Sequence, residues 1–201
     1  MEGAAWLLSA TGFAFAMSAT PGPNTTMVAA SGANFGLRRT WPHMLGVSLG
    51  FPLMLLAVAL GAGEALRASP ALQSALRWGG AAWMLWLAWR IATAAPAVGG
   101  AAPGRPIGFL EAALFQWVNP KAWMIAVGAA ATYVAGPRQA LLLAVIFALV
   151  CLPSILAWAV LGLGAARLLR RPGALRAFNL AMALLLAASL VPMLVEELSP
   201  P

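Results

Sequence analysis

The chain has 201 residues, of which 62% are hydrophobic and only 8% are charged, and its formal net charge is +7. A soluble domain is about 25% charged, so this composition predicts an integral membrane protein. With no aspartate, one cysteine and one histidine, the chain lacks the residues for a disulfide framework or a zinc site within one subunit, and we predict no metal and no cofactor. The arginines form short clusters between apolar segments, so we expect no nucleic-acid partner.

Six apolar segments follow one another along the chain, and each contains the ~20 residues needed to span about 30 Å of hydrocarbon. They are residues 4–36, 41–63, 70–94, 108–135, 139–166 and 174–194. We therefore predict an all-α integral membrane protein with six transmembrane helices in a single transporter domain, 1–201. The stretch 95–106, rich in Pro, Gly and Ala, is predicted to be a loop that connects a first three-helix unit, 1–94, to a second, 107–201.

The first and fourth segments are longer than a membrane requires, and both contain prolines. As straight helices they would measure about 50 Å and about 42 Å. The first carries ATPGPNTT over residues 19–26 and the fourth carries FQWVNPKAW over 115–123. Because proline removes a backbone donor and clashes with the preceding turn, we predict that helices 1 and 4 are each broken into two half-helices near the midplane.

Irregular positions recur in the two halves of the chain about 100 residues apart. The pairs are Pro23 with Pro120, Pro52 with Pro153, and Arg77 with Arg176. A unit of three spans must be followed by one of opposite orientation, so the pattern predicts two inverted three-helix repeats around a transport site. Chance coincidence of prolines in membrane helices is the alternative.

Six spans place the loops alternately on two sides of the bilayer. The larger set of arginines is Arg38, Arg39, Arg90, Arg105, Arg167, Arg170, Arg171 and Arg176, and the smaller is Arg67, Arg77 and Arg138. Because cytoplasmic loops carry the excess of basic residues, the larger set predicts the cytoplasmic side and places both termini outside.

The first break supplies a set of candidate substrate-binding residues: Pro21, Gly22, Pro23, Asn24, Thr25 and Thr26. The prolines leave backbone carbonyls upstream, around 17–19, without a helical hydrogen-bond donor. These carbonyls suit an ammonium group. The new half-helix opens with free N–H groups, hydroxyls and a positive dipole end, which favour a carboxylate. One break can therefore bind both ends of a zwitterionic amino acid. The alternative is a structural kink in which Asn24 bonds to a neighbouring helix.

The second break supplies Asn119, Pro120 and Lys121, the last being the only lysine in the chain. Lys121 either holds a carboxylate or loses its proton and takes part in proton exchange; the alternative is a side chain that snorkels to the interface. Gln116 is a further pocket candidate, with an interhelical hydrogen bond as the alternative. Glu111 is a proton-coupling candidate, with a solvated interfacial carboxylate as the alternative.

Close helix contacts are predicted at two pairs of glycines, Gly32 with Gly36 and Gly46 with Gly50, with ligand binding as the alternative. Each pair has the four-residue spacing that lets two helix backbones approach each other.

The two broken motifs resemble the signatures of the LysE/RhtB family of amino-acid exporters. The residues ATPGPNTTMVAASGANFGLRRTWPHMLGVSLG are similar to its amino-terminal signature and FQWVNPKAW to its second, and the surroundings are most like the branch that exports cysteine and O-acetylserine. The resemblance spans the whole chain. It implies proton-driven export of amino acids or close derivatives across a bacterial inner membrane, and it carries the site onto Pro21, Gly22, Pro23, Asn24, Asn119, Pro120 and Lys121.

The resulting hypothesis is a secondary exporter that works by alternating access, not an enzyme, with no catalytic residues. Its expected partners are an amino-acid substrate and the lipid bilayer, and a homodimer is left open. The alternatives are a channel, or an exporter of a metal or another non-amino-acid solute. An intramembrane enzyme would need a nucleophile–base pair or paired carboxylates that this composition does not offer.

Overall fold

The computed structural model describes residues 3–94, 104–168, 172–191 and 195, and every secondary-structure element in these ranges is helical. The predicted all-α class is therefore confirmed. The α-helices are α1 Ala4–Ala19, α2 Pro23–Ala57, α3 Gly63–Arg67, α4 Pro70–Ala92, α5 Phe109–Phe115, α6 Pro120–Tyr133, α7 Pro137–Leu168 and α8 Pro172–Ala188. A π-helical turn, Val58–Ala62, joins α2 to α3, and a 3-10 turn, Gln116–Val118, follows α5.

Both long segments are interrupted at the predicted prolines. After α1, the backbone is extended at Thr20 and Gly22, and α2 then begins at Pro23. After the 3-10 turn, Asn119 is extended with φ −87° and ψ 111°, and α6 begins at Pro120. Proline suits the first position of a helix because the N–H that it lacks has no partner there.

Helix α2 reverses direction at Gly36, which has φ 74° and ψ 167°. This left-handed φ favours glycine because a Cβ would be strained there. The reversal brings Asn24 to the same cavity as Phe51, although a straight helix would hold them about 40 Å apart. We call residues 23–35 the first arm of α2 and residues 37–57 the second arm. Gly36 thus ends the first predicted segment instead of packing against a neighbouring helix as predicted, and an added Cβ there would meet open space.

The other predicted glycines pack helices tightly, as expected. A Cβ on Gly32 would overlap the carbonyl of Ala159 in α7, and one on Gly50 would lie 2.6 Å from the Cα of Ala113 in α5. Gly46 meets the Phe109 carbonyl in the same way. Helix α7 therefore packs closely on the first arm, and α5 on the second arm.

Three apolar clusters fill the interior. The first joins α1, the second arm, α6 and α7 through residues that include Ala14, Phe51, Ala126 and Phe147. The second joins the first arm, α4, α5 and α8, and the third joins both arms to α5 and α7. The two arms and α7 therefore form the centre, with α1 and α6 packed on one part of it and α4 and α8 on another.

The outer faces carry large apolar side chains, such as Leu53, Leu110 and Leu149, each about two-thirds exposed. By length and composition, Pro23–Arg67 and Pro137–Leu168 are the two helical stretches of the described chain that are apolar enough to cross a membrane. Three shorter helical stretches, Ala4–Ala19, Phe109–Val118 and Gly173–Ala188, are also apolar. A surface of this kind matches lipid better than water.

Some predictions fall outside the described residues. Most of the predicted connecting loop, 95–103, lies there, and only 104–106 is described. The termini, 1–2 and 196–201, and the arginines at 170 and 171, on which the predicted orientation depends, also lie outside the described ranges.

Candidate functional site

The start of α2 is capped by its own threonines. Thr25 Oγ1 accepts a hydrogen bond from the Gly22 N–H at 2.8 Å and donates to the Gly22 carbonyl at 2.9 Å. Thr26 Oγ1 donates to the same carbonyl at 2.7 Å. Both threonines are buried. The two hydroxyls that were predicted to face a ligand therefore stabilise the break itself, as helix-capping residues do.

The start of α6 is capped by Asn119, whose Oδ1 accepts a hydrogen bond from the Lys121 N–H at 3.1 Å. Asn119 is buried, and its extended backbone turns the chain between the 3-10 turn and α6. The indole of Trp123 donates to the Trp117 carbonyl at 2.7 Å, which bridges the same break. The second break is thus held by its own residues, as the first is.

The side chain of Lys121 joins the two breaks. Its Nζ donates to the carbonyls of Thr20 at 2.8 Å and Pro21 at 3.1 Å. Its stem lies against Gly22, where an added Cβ would be 2.7 Å from the lysine Cδ. The carbonyls are available because the backbone between α1 and α2 is extended and takes part in no helical ladder. The lysine ammonium therefore occupies a site with the chemistry of an ammonium receptor.

The backbone carbonyls that lack a helical hydrogen-bond donor lie slightly later in the chain than predicted. The prediction placed them around 17–19, but the Ala19 carbonyl accepts a hydrogen bond from the Trp158 indole of α7 at 3.1 Å. The carbonyls that bind a cation are those of Thr20 and Pro21. This difference arises because a tertiary contact from a distant helix satisfies Ala19, which local sequence cannot indicate.

A reciprocal pair of amides also links the two breaks. Asn24 Nδ2 donates to Gln116 Oε1 at 2.8 Å, and Gln116 Nε2 donates to Asn24 Oδ1 at 3.1 Å. Gln116 uses its second hydrogen on the Ala112 carbonyl at 2.8 Å and is fully buried. Asn24 keeps one N–H and one lone pair beyond this pair. Gln116 therefore orients Asn24, and Asn24 can still bind a ligand.

These groups surround one cavity, which we call the central cavity. It measures about 430 Å³ including the space open to its surroundings. Its polar lining consists of Ser18, Thr20, Gly22, Asn24, Thr25, Asn119 and Lys121, and its apolar lining includes Val47, Phe51, Phe147, Cys151 and Ile155. A few polar groups converging on an apolar wall are typical of small-molecule sites.

The predicted substrate-binding residues fall into two groups, those that line this cavity and those that are not part of its lining. Gly22, Asn24, Thr25, Asn119 and Lys121 line it, whereas Pro21, Pro23, Thr26, Gln116 and Pro120 do not. Among the second group, Pro21 contributes its carbonyl and Gln116 holds Asn24. Pro23 and Pro120 begin the two half-helices.

Glu111 lies elsewhere, at the start of α5. Its carboxylate accepts a hydrogen bond from the Gly108 N–H at 2.9 Å and two from the Arg105 guanidinium, one of them at 3.1 Å. Arg90 Nη1 lies 3.8 Å from the same carboxylate. The hydrogen bond to Glu111 raises the pKa of the Arg105 guanidinium above its ordinary value. Glu111 therefore belongs to an ion-paired cluster and does not line the central cavity.

Comparison with known proteins identifies the family of this chain. The sequence model of the LysE type translocator family matches residues 15–193. The chain belongs to the LysE translocator family. It is 34% identical over 171 residues, 83% of this chain and 86% of the relatives, to the cysteine/O-acetylserine efflux proteins of Escherichia coli (strain K12) and Shigella sonnei (strain Ss046). No solved structure matches the chain at a significant level.

The chain also contains a polar pair that the sequence did not indicate. Asn34 in the first arm and Asn179 in α8 exchange side-chain hydrogen bonds of 2.8 Å and 3.0 Å. Both are buried, and Asn34 also donates to the Ala30 carbonyl at 2.7 Å. The sequence feature that could have indicated this pair is the presence of two asparagines within apolar segments. Asparagine in such a segment commonly forms a hydrogen bond to another helix.

We expect Asn34→Leu or Asn179→Leu alone to destabilise the protein by about 1–3 kcal/mol, because each leaves a buried amide without its partner. The double variant should cost less than the sum of the two, since neither amide is then orphaned. Thermal unfolding in detergent measures all three. Additive losses would show that the two amides are not energetically coupled.

Proposed function

We propose that this translocator is a secondary-active exporter of amino acids or close derivatives, with cysteine and O-acetylserine as the first candidates. The observation that carries the proposal is the contact of Lys121 with the Thr20 and Pro21 carbonyls, which unites the two breaks at one cavity. The relatives at 34% identity are named as cysteine/O-acetylserine efflux proteins, which supports the substrate class.

The chemistry of the cavity suits a zwitterion. The substrate ammonium replaces Lys121 on the carbonyls of Thr20 and Pro21. The displaced lysine ammonium then pairs with the substrate carboxylate, with the remaining N–H of Asn24 as a further donor. A zwitterion adds no net charge to the cavity. The substrate ammonium and the lysine ammonium therefore each keep a partner, and no charge is left unpaired in an apolar site.

For the architecture we propose six transmembrane helices in two inverted repeats. The first unit contains α1 with the first arm, the second arm with α3, and α4. The second contains α5 with α6, then α7, then α8. Breaks at corresponding positions near the midplane are expected for transporters of this kind. The arginine-rich ends of the helices face the cytoplasm of a bacterial inner membrane, and both termini lie outside.

Proton coupling has two candidate residues, Lys121 and Glu111. Lys121 lines the central cavity, where substrate binding changes its partners. Glu111 would have to leave Arg105 and Arg90 in order to take up a proton. A variant that keeps exchange but loses accumulation driven by a pH gradient identifies the coupling residue, and Glu111→Gln is the variant to compare with wild type.

Reconstituted protein should exchange labelled L-cysteine or O-acetylserine against the same unlabelled amino acid inside liposomes, with a rate that saturates. Because alternating access moves a bound substrate, exchange should exceed net flux, and an imposed pH gradient should drive accumulation. Protein-free liposomes are the control. Steady ion conductance without saturable exchange would indicate a channel. Absence of exchange for every amino acid tested would overturn the proposal.

A further inference from the structure

A second cavity lies at the arginine-rich end of the molecule. It measures about 410 Å³ including the space open to its surroundings, and it lies between the first arm, the end of α4 and residues 105–107. Its polar lining is formed by Ser31, Asn34, Arg90 and Arg105. We call it the arginine cavity. The exchange of substrate at the central cavity does not use any of these four residues.

Positive charge exceeds negative charge around the arginine cavity. Arg90 and Arg105 line it, and Arg39 donates to the neighbouring Gly104 carbonyl at 2.7 Å. Against these three, Glu111 is the one acidic side chain that pairs with them within the described chain. Part of the positive charge is therefore not neutralised by the acidic side chains of the described residues, and a partly enclosed cavity concentrates its field on small anions.

The floor of the arginine cavity offers a buried donor. Ser31 is 5% exposed, and in the part of the chain that the structure describes its hydroxyl makes no hydrogen bond. Arg90 uses one guanidinium nitrogen on the Arg105 carbonyl at 3.2 Å and stacks on Trp86 at 4.8 Å, so its fork is held in place. A fixed guanidinium and a free hydroxyl together suit a carboxylate, which accepts two hydrogen bonds in one plane.

The two cavities share one helix face. Asn24 lines the central cavity, while Ser31 and Asn34 line the arginine cavity, and their spacing of seven and three residues keeps them on the same side of the first arm. Asn24 and Ser31 are about 10 Å apart along the helix. Met27, which packs in one cluster with Phe115, lies between them. Along this face of the first arm, a flexible methionine therefore separates the two polar positions.

We propose that the arginine cavity is a second substrate site, which binds the carboxylate of an amino acid at the cytoplasmic end before the substrate reaches the central cavity. The ligand carboxylate binds Arg90, Arg105 and the Ser31 hydroxyl, in competition with Glu111. This inference rests on the proposed function for its substrate class, but binding at this site is measurable without transport.

Equilibrium binding of L-cysteine to the purified protein tests the proposal, measured in the Lys121→Ala variant so that the central cavity no longer offers a cation to the substrate carboxylate. In that background we expect saturable binding to remain, and Arg90→Gln to weaken it about tenfold, which corresponds to about 1.4 kcal/mol. Glu111→Gln should tighten it, because the competing carboxylate is gone while the amide can still accept from Gly108. Cysteamine, which lacks the carboxylate, should show none of these effects.

Arg38→Gln is the matched control, since it removes one exposed arginine from the same end of the molecule without lining the cavity. Equal effects of Arg38→Gln and Arg90→Gln, or weaker binding in both Arg90→Gln and Glu111→Gln, would show a purely structural cluster. Loss of all binding with Lys121→Ala would overturn the second site while leaving the proposed function intact. Failure of wild-type exchange, with binding in the Lys121→Ala background retained, would overturn the function alone.

Discussion

Replacing Lys121 with alanine should reduce export of zwitterionic amino acids by at least about 30-fold in kcat/KM, since losing one partner of a desolvated charge pair costs about 2–5 kcal/mol. In the proposed function, the variant loses the cation that pairs with the substrate carboxylate. The carbonyls of Thr20 and Pro21, which the lysine occupies in the free protein, become directly available to an amine. The defect should therefore depend on the ligand carboxylate.

Initial rates in proteoliposomes measure this effect, with cysteine compared to cysteamine for each protein. Cysteamine transport by Lys121→Ala should equal or exceed that of wild type. Lys121→Arg keeps the charge but not the compact ammonium, so it should recover only part of the activity. Arg38→Gln controls for a change in net charge. Wild-type kinetics of Lys121→Ala with cysteine would mean that the lysine serves only to cap the first break.

Gly162→Ala should destabilise the folded protein by about 3 kcal/mol or more, at the upper end of the cost of overpacking. A Cβ at Gly162 would overlap the backbone carbonyl of Ala29 in the first arm. Backbone cannot move aside as a side chain can, so α7 must separate from the first arm. Because that arm carries Asn24 into the central cavity, transport should fall along with stability.

Gly164→Ala is the matched control for this prediction, since it lies in the same helix and nothing surrounds its added Cβ within 4 Å. Thermal unfolding in detergent should show a decrease of about 10 °C for Gly162→Ala and little change for Gly164→Ala. Equal melting temperatures for the two variants would show that the contact between α7 and the first arm adapts without cost.

The two breaks were predictable because their signal is local. Proline lacks the N–H that a helix interior needs, so Pro23 and Pro120 mark the starts of new helices whatever the surrounding fold. Lys121 was a predicted site residue for a similar reason, since an isolated cation in an apolar segment requires partners. The identity of those partners was not predictable, because Thr20 and Pro21 meet Lys121 only when two distant segments pack.

Other features required the whole fold. Gly36 and Gly32 belong to the same four-residue glycine pair, yet Gly36 forms a turn and Gly32 a helix contact. The difference depends on which part of the chain lies opposite each glycine. Gly162 has no second glycine at the four-residue spacing. Asn34 and Asn179 are separated by most of the chain, and only packing of α8 on the first arm brings their amides together.

The sequence by itself determined that this is a helical, apolar chain with two proline-broken segments and one lysine in the second of them. It did so through properties that act within a few residues: hydropathy, helix length, and the missing donor of proline. Only the tertiary structure decided that Lys121 occupies the carbonyls of the first break, that Gln116 orients Asn24, and that Glu111 pairs with arginines away from the central cavity. Hydrogen bonds and ion pairs are short-ranged, so their partners are chosen by the packing that brings distant residues within about 3 Å.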